Sequence, residues 1–255
     1  MTLAILSQPS APALHLRPYR FRSVALTHAG SVRKLNEDAI LDRPDIGLWA
    51  VADGMGGHAA GDFASAAVVR HLDAISSITS AFDFRRAVRT ALLSANQELQ
   101  QKAGDELLDA IGATVVTLMV HRGHYACIWA GDSRAYRLRH GRLERLTRDH
   151  SLVQELVDAG SIHANEARTH ANSNIVTRAV GASERLDLDG IHGSIEPGDR
   201  FLLCSDGLGV LSEDEIEQAL GIADIGLAAK GLLRGTLDRG ASDNVSVILV
   251  QAETA

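Results

Sequence analysis

Two kinds of hydrophobic pattern alternate along the chain. Short apolar runs rich in β-branched residues are typical of strands, and apolar residues that recur every three to four positions are typical of helices. Strands are predicted at residues 22–27, 39–42, 48–52, 113–121, 124–130, 134–139, 188–194, 200–204 and 245–251. Helices are predicted at residues 62–78, 83–102, 152–159 and 225–237, with a further one after Ser212.

Two local signals refine this pattern. Ser212 is followed three residues later by Glu215, a capping box that predicts the start of a helix. The run His121-Arg-Gly-His124 predicts the turn of a hairpin between two strands. Two histidines at this spacing can also bind a metal ion, but we interpret them as part of a solvent-facing turn.

The chain divides into a short leader and one larger unit. Residues 1–20 hold three of the five prolines, one four-residue apolar stretch and no positively charged start, so we predict a flexible leader and no signal peptide. Residues 149–181 are polar, rich in His and Asn, and show little apolar periodicity, which is typical of a surface insertion. Because no shift in composition marks a boundary, we predict a single domain at 21–255.

The composition is that of an ordinary globular protein: 45% of the 255 residues are hydrophobic and 22% are charged. The 32 acidic and 25 basic residues give a net charge of −7, which argues against nucleic acid as a partner. No stretch approaches the roughly 18–20 apolar residues that a membrane span requires. We therefore expect a cytoplasmic protein that neither inserts into a membrane nor binds nucleic acid.

The two cysteines, Cys127 and Cys204, lie within apolar runs and form no CxxC pair. Neither fits the nucleophile of a thiolate-type phosphatase, which needs an arginine six positions after the cysteine. Those positions hold Ser133 and Val210. We interpret both cysteines as small buried hydrophobic residues in a reducing compartment.

Acidic residues adjoin the ends of several predicted strands, usually beside a glycine. They are Asp53, Asp132, Asp206, Asp243 and the pair Glu37-Asp38. A single Asp-Gly after a strand is an ordinary turn, but several carboxylates at one end of a sheet repel each other unless a cation neutralises them. Ligands that are all oxygen favour Mg²⁺ or Mn²⁺ over Zn²⁺. Two such ions about 3.5–4 Å apart can activate a water, so the pattern allows a carboxylate dimetal hydrolase.

A cation for the phosphate group is also present near these acids. Arg33 lies four residues before Glu37, and a planar guanidinium binds phosphate in a bidentate manner that Lys34 cannot match. A solvated loop charge is the alternative interpretation of Arg33.

Seven short motifs follow one another in a family-specific order. They are Arg33-Lys-Leu-Asn-Glu-Asp38, Val51-Ala-Asp-Gly-Met-Gly-Gly-His58, Gly112-Ala-Thr114, Gly131-Asp-Ser-Arg134, Asp149-His-Ser151, Ser205-Asp-Gly207 and Ser242-Asp-Asn244. With these motifs, residues 22–250 closely resemble the bacterial branch of the type 2C metal-dependent serine/threonine protein phosphatases (the PPM family). The resemblance implies an α+β fold, a four-layer α-β-β-α sandwich of two antiparallel sheets flanked by helices.

The resemblance also implies a role for each site residue. It implies two Mn²⁺ or Mg²⁺ ions with Asp53 as a bridge between them. Asp206 and Asp243 would also hold the first ion, and Glu37 and the Gly54 carbonyl would hold the second. Asp132, with Asp206, matches positions that hold a third ion in bacterial members. Asp38 would orient a water, Arg33 would hold the substrate phosphate, and residues 149–181 would form the flap beside the site, where substrate selection is thought to lie.

One position departs from part of the family. Some members carry a histidine, the assigned general acid, directly after the Asp-Gly, whereas this chain has Met55, as other bacterial members do. A thioether cannot donate a proton. We do not transfer this role to His58, because we interpret His58 as a residue that packs under the site. A water held by the metal ions could supply the proton instead.

The resemblance implies an enzyme that removes phosphate from Ser or Thr of a phosphorylated protein by direct attack of water, with a Ser/Thr kinase as its counterpart. We expect a monomer. A catalytically silent module that uses the same fold for binding or scaffolding is the alternative, and a phosphatase that acts on antagonists of anti-sigma factors is a third. The lead-in at 32–36 and the run 47–54 also look like phosphatases of type VI secretion loci, which oppose a transmembrane kinase.

Overall fold

The computed structural model describes residues 19–56, 60–76, 78–106 and 111–254. Within them the strands are β1 (Tyr19–His28), β2 (Asp38–Arg43), β3 (Leu48–Met55), β4 (Gly112–Ala113), β5 (Val115–His121), β6 (His124–Ala130), β7 (Arg134–Arg139), β8 (Arg142–Arg145), β9 (Asp189–Ser194), β10 (Arg200–Cys204) and β11 (Val245–Thr254). The α-helices are α1 (Ala60–Asp73), α2 (Ala81–Glu106), α3 (Leu152–Asp158), α4 (Glu213–Leu220) and α5 (Ile225–Leu237).

The strands form two antiparallel sheets. The first sheet has the order β1-β11-β10-β7-β8, and the second has the order β2-β3-β5-β6-β9 with the short β4 beside β3. The first and last strands of the described chain, β1 and β11, pair over ten residues. Segments that are far apart in the sequence therefore lie side by side at one edge of this sheet.

Three apolar cores separate four layers of structure. Helices α1 and α2 cover the outer face of the second sheet around Leu72 and Leu92. Helices α4 and α5 cover the outer face of the first sheet, and a third core that includes Trp49 and Phe201 fills the space between the sheets. The predicted α-β-β-α sandwich is confirmed.

Strand β11 shows why central strands appear in the sequence as continuous apolar runs. Successive side chains point to opposite faces, so Val247 and Leu249 contact the core under α4 and α5, whereas Ile248 and Val250 lie between the sheets. A strand that is covered on both faces has no polar face.

The first helix ends earlier than its apolar periodicity predicts. The prediction extends to residue 78, but α1 ends at Asp73. Arg43 of β2 donates from Nη1 to the backbone oxygen of Asp73 at 3.0 Å and to its carboxylate at 2.6 Å, so a side chain satisfies the end of the helix. Ile75 still packs in the core below, which explains why the periodicity continues.

Three strand boundaries also differ from prediction. The predicted strand at 113–121 is two strands, β4 and β5, interrupted at Thr114. Strand β8 was not predicted, because it is a four-residue edge strand in which Leu143 is the only apolar residue. Strand β1 begins at Tyr19, so the last two residues of the predicted leader belong to the first sheet. The rest of the leader prediction, residues 1–18, lies outside the described residues.

Several local predictions are confirmed. Arg122 and Gly123 turn the chain between β5 and β6 with φ of 47° and 79°. Cys127 and Cys204 are buried, and burial raises the pKa of each thiol to about 12. No helix in the described ranges is long and apolar enough to cross a bilayer.

The capping box at α4 supplies a test of local stability. The Ser212 side chain accepts from the backbone N–H of Glu215, and the Glu215 carboxylate accepts from the backbone N–H of Ser212. We expect Ser212→Ala to lower the free energy of unfolding by about 1 kcal/mol in urea titrations, because it leaves a helix N–H without a partner. Ser212→Thr should retain most of the stability, and equal midpoints for all three proteins would contradict the capping role.

Candidate active site

The ends of several strands meet at one cavity of about 300 Å³. Its wall is formed by the loop before β2, the end of β3, the turn after β6, the residues after β10 and those before β11. These segments bring together Arg33, Glu37, Asp53, Gly54, Asp132, Asp206 and Asp243. Of the predicted site residues, only Asp38 is not part of the wall; it is buried, with 8% of its surface exposed.

Asp38 and Asp53 are direct neighbours across two strands, because β2 and β3 pair with these residues opposite each other. Side chains at such positions start about 4.5–5.5 Å apart, so two carboxylates there repel each other. Burial and then the charge of Asp38 raise the pKa of Asp53 well above its usual range. A bound cation would offset this repulsion and favour the charged form of both carboxyl groups.

Two hydroxyl groups hold Asp38. Ser205 Oγ donates to Asp38 Oδ2 at 2.8 Å, and Ser246 Oγ donates to the same oxygen at 2.6 Å. Burial raises the pKa of Asp38 to about 6, although both hydrogen bonds favour its charged form. Oδ1 is buried without a hydrogen-bond partner in the described chain, so this oxygen remains free to accept from a water or a ligand.

Asp132 and Asp206 form a second acidic pair at the cavity. Burial and then the charge of Asp206 raise the pKa of Asp132 to about 7. Burial and then the charge of Asp243 raise the pKa of Asp206. Asp206 Oδ1 is a further buried carboxylate oxygen that lacks a hydrogen-bond partner among the described residues.

Two glycines allow Glu37 to approach the end of β3. A Cβ atom on Gly54 would lie 1.9 Å from the backbone oxygen of Gly61, and a Cβ on Gly61 would lie 2.5 Å from Glu37 Oε1. The Glu37 carboxylate and the Gly54 carbonyl therefore share a space in which no side chain fits. Both are oxygen donors of the kind that Mg²⁺ and Mn²⁺ prefer.

Thr114 links the loops that carry Asp53 and Asp132. Its backbone N–H donates to the backbone oxygen of Asp53 at 2.8 Å, and its Oγ1 accepts from the backbone N–H of Asp53 at 3.3 Å. The same hydroxyl lies 2.7 Å from Ser133 Oγ, next to Asp132. No role for Thr114 was predicted; a hydroxyl within the apolar run at 111–120 is the signal that could have found it.

Arg33 faces the acids from the loop before β2. Its Nη2 donates to Asp243 Oδ2 at 2.8 Å. This hydrogen bond, with the charge of Asp243, raises the pKa of the guanidinium above its usual value. Arg33 is half exposed, so its other donors are accessible from the cavity.

Asn244 holds the loop that carries Arg33 and Glu37, here called the arginine loop (residues 29–37). Asn244 is 4% exposed, and its Nδ2 donates to the backbone oxygens of Ala29 and Leu35, each at 2.9 Å. Its Oδ1 accepts from the backbone N–H of Glu37 at 2.8 Å. One side chain thus fixes both ends of the loop, a role that no local sequence pattern indicated.

The segment at 149–181 borders the cavity through Asn174 and Val176. It is attached to the turn after β6, since His150 Nδ1 accepts from the Gly131 N–H at 3.2 Å and the His150 N–H donates to the Gly131 oxygen at 2.9 Å. Burial lowers the pKa of His150, and its ring stacks on Trp129. The segment therefore rests directly beside Asp132.

The donor set fits a pair of hard divalent cations. Carboxylates and a carbonyl supply only oxygen, two buried carboxylate oxygens lack partners, and like charges lie side by side. In the described part of the chain, however, no three acidic, His or Cys side chains are already arranged as a ligand set. In this arrangement Asp243 Oδ2 is paired with Arg33 Nη2 at 2.8 Å.

Met55 lies in the cavity wall at the end of β3. The described residues of the wall include no histidine. His58 lies outside the described residues. The site thus presents one thioether where a proton donor stands in some members of the family.

Comparison with known proteins identifies the family. The family described as protein phosphatase 2C matches residues 28–225. The serine/threonine protein phosphatase PstP of Mycobacterium tuberculosis is 34% identical over 230 residues, which cover 89% of this chain. This chain spans 44% of the length of that relative.

Solved structures show the same similarity. PppA, a key regulatory component of the type VI secretion system in Pseudomonas aeruginosa, superposes with a TM-score of 0.85 at 45% identity, covering 91% of this chain and 97% of PppA. The catalytic domain of PstP in complex with two manganese ions superposes with a TM-score of 0.85 at 32% identity, covering 92% and 100%. With seven ordered motifs, this fold and this cluster of acids, the chain belongs to the protein phosphatase 2C family.

Proposed function

We propose that the chain is a metal-dependent phosphatase that hydrolyses phosphoserine and phosphothreonine in proteins. The observation that carries this proposal is the convergence of carboxylates from five strand ends, with one arginine, on a single cavity. PstP, which has this fold, has been crystallised with two manganese ions. When two Mn²⁺ or Mg²⁺ ions are bound, they lower the pKa of a water and offset the negative charge of the phosphoryl group.

Each oxygen donor of the cavity has a role in this proposal. Asp53 would be shared between the two ions, and Asp206 and Asp243 would complete the first site. Glu37 and the Gly54 carbonyl would serve the second. Asp132, with Asp206, would hold a third and weaker ion. The like-charge repulsion among these residues supports the assignment, because bound cations would remove it.

Arg33 and Asp38 act on the substrate and the water in this proposal. The free donors of Arg33 bind two oxygens of the phosphate, which positions phosphorus for in-line attack. Asp38 Oδ2 is fully used by two serine hydroxyls, so Oδ1 is the atom that accepts a hydrogen bond from the attacking water and orients it. No covalent intermediate with the protein is expected, because the nucleophile is water.

The cellular setting is part of the same proposal. We infer a cytoplasmic monomer that opposes a Ser/Thr kinase. The 45% identity to PppA supports a role in regulating type VI secretion. The alternative, a silent phosphatase-fold module, is less consistent with a complete set of mutually repelling acids; a protein without Mn²⁺-stimulated hydrolysis of p-nitrophenyl phosphate would favour it.

Asp53 and Asp243 provide the first test. We expect Asp53→Asn and Asp243→Asn to abolish hydrolysis of p-nitrophenyl phosphate with the fold intact. Because Asp53 is buried among like charges, Asp53→Asn should also raise the Tm in EDTA, by about 2–4 °C per kcal/mol of relieved repulsion. It should lose the rise in Tm that Mn²⁺ causes in the wild type.

The matched control for these variants is Asp238→Asn, an exposed acid at the end of α5. It should keep both activity and the Mn²⁺ response. Turnover like that of the wild type in Asp53→Asn and Asp243→Asn would exclude the metal assignment.

Arg33 provides the second test, with its neighbour Lys34 as control. Arg33→Ala should mainly weaken substrate binding and reduce kcat/KM by about 10- to 100-fold, because it removes a charge-assisted bidentate contact. Lys34→Ala should change kcat/KM by no more than about twofold. Steady-state kinetics with a phosphothreonine peptide make the comparison, and unchanged KM and kcat in Arg33→Ala would remove it from the site.

Asn244 provides the third test. Asn244→Ala removes three hydrogen bonds that hold the arginine loop, so we expect the free energy of unfolding to fall by about 2–3 kcal/mol. The KM should rise because Arg33 is no longer fixed. Urea unfolding and peptide kinetics measure the two effects; a loss of stability without any change in KM would show that the loop does not position Arg33.

A further inference from the structure

Apolar side chains stand exposed next to residues that line the acidic cavity. Val32 is 68% exposed and Leu35 is 56% exposed, and they flank Arg33 on the arginine loop. Ile175 is 46% exposed and lies between Asn174 and Val176, which line the same cavity from the segment at 149–181. These three, here called the apolar rim, are three of the seven large apolar side chains that stand exposed in the described part of the chain.

The backbone beneath the apolar rim is held in place. The Leu35 oxygen accepts from Asn244 at 2.9 Å, and the Ser31 N–H donates to the Ala241 oxygen at 2.8 Å. In the segment at 149–181, the backbone oxygen of Ile175 accepts from the Leu152 N–H at 2.9 Å. Apolar side chains on a fixed backbone lose little conformational freedom when they bind a partner, so they suit a recognition surface.

The position of the rim limits what can cover it. A phosphorylated residue in the cavity is part of a chain that advances about 3.3 Å per residue when extended. Residues one to three positions from the phosphate therefore stay within about 10 Å of it, and they are the part of the substrate that a surface beside the cavity can contact. An apolar residue next to the phosphorylated one would bury its own surface and that of the rim. A small polar residue there would leave the apolar surface of the rim exposed to water.

We propose that the apolar rim selects phosphoproteins with aliphatic or aromatic residues directly beside the phosphorylated Ser or Thr. This inference rests on the proposed phosphatase function and adds the class of sequence that the site prefers. Val32, Leu35 and Ile175 contact the side chains next to the phosphate, and Arg33 between them binds the phosphate itself. The rim residues determine specificity; they touch neither the phosphoryl group nor the metal ligands.

The experiment compares two phosphothreonine peptides of equal charge with the Mn²⁺-loaded protein. One peptide has Leu before and Val after the phosphothreonine, and the other has Ser at both positions. The measured quantity is the ratio of their kcat/KM values, which is independent of the active fraction in each preparation. We expect a ratio of about 10 for the wild type, the lower range for removing apolar contact at a binding site.

Variants of the rim residues test which of them cause the preference for the peptide with apolar neighbours. The double variant Val32→Ser, Leu35→Ser should lower the ratio to about 1–2, and Ile175→Ser should lower it in part, since less apolar surface is lost. The control is Leu227→Ser on α5, because Leu227 is 61% exposed, similar to Leu35, and neither it nor its chain neighbours line the cavity. This control should keep the ratio of the wild type.

Three results would overturn the proposal: a wild-type ratio near 1, a preference that survives in the double variant, or an equal loss in Leu227→Ser. If sedimentation instead shows a dimer that the double variant dissociates, with an unchanged ratio, the rim binds a second copy of the chain and the proposal is wrong. Failure of the phosphatase assignment is recognised separately, because the wild type would then lack Mn²⁺-stimulated hydrolysis of p-nitrophenyl phosphate.

Discussion

The repulsion between carboxylates at the shared end of the two sheets is the constraint on which the site depends. The pairing of β2 with β3 places Asp38 opposite Asp53, and the packing of the first sheet against the second adds Asp206 and Asp243. Burial raises the free-energy cost of keeping each carboxylate charged. A rigid sandwich with large apolar cores can maintain such an arrangement, because the stability gained in the cores offsets the destabilised end.

The parts of the molecule that hold the site are distributed over the whole chain. Asn244 lies near the end of the sequence and forms hydrogen bonds with the arginine loop, which lies near the start of the sequence. Ser205 and Ser246 both donate hydrogen bonds to Asp38. Each of these contacts joins residues separated by more than 150 positions. The pairing of β1 with β11 brings these distant segments together, so the geometry of the cavity depends on complete folding.

The layers and most candidate ligands could be predicted from the sequence, because apolar runs, Asp-Gly pairs and the motif order are local signals. The acids at 37, 53, 132, 206 and 243 were identified in this way and line one cavity. Asn244 could not be given a role, since it acts through partners remote in sequence. The early end of α1 at Asp73 has the same cause: Arg43, from another element, ends the helix.

The contact between Gly54 and Gly61 has a consequence for how this fold can change its use. A methyl group on Gly61 would lie 2.5 Å from a Glu37 oxygen, whereas the apolar cores are untouched by such a change. The smallest possible side chain at position 61 is therefore enough to displace the Glu37 carboxylate while the apolar cores keep their packing. One methyl group thus separates two arrangements of the acidic cavity on the same sandwich.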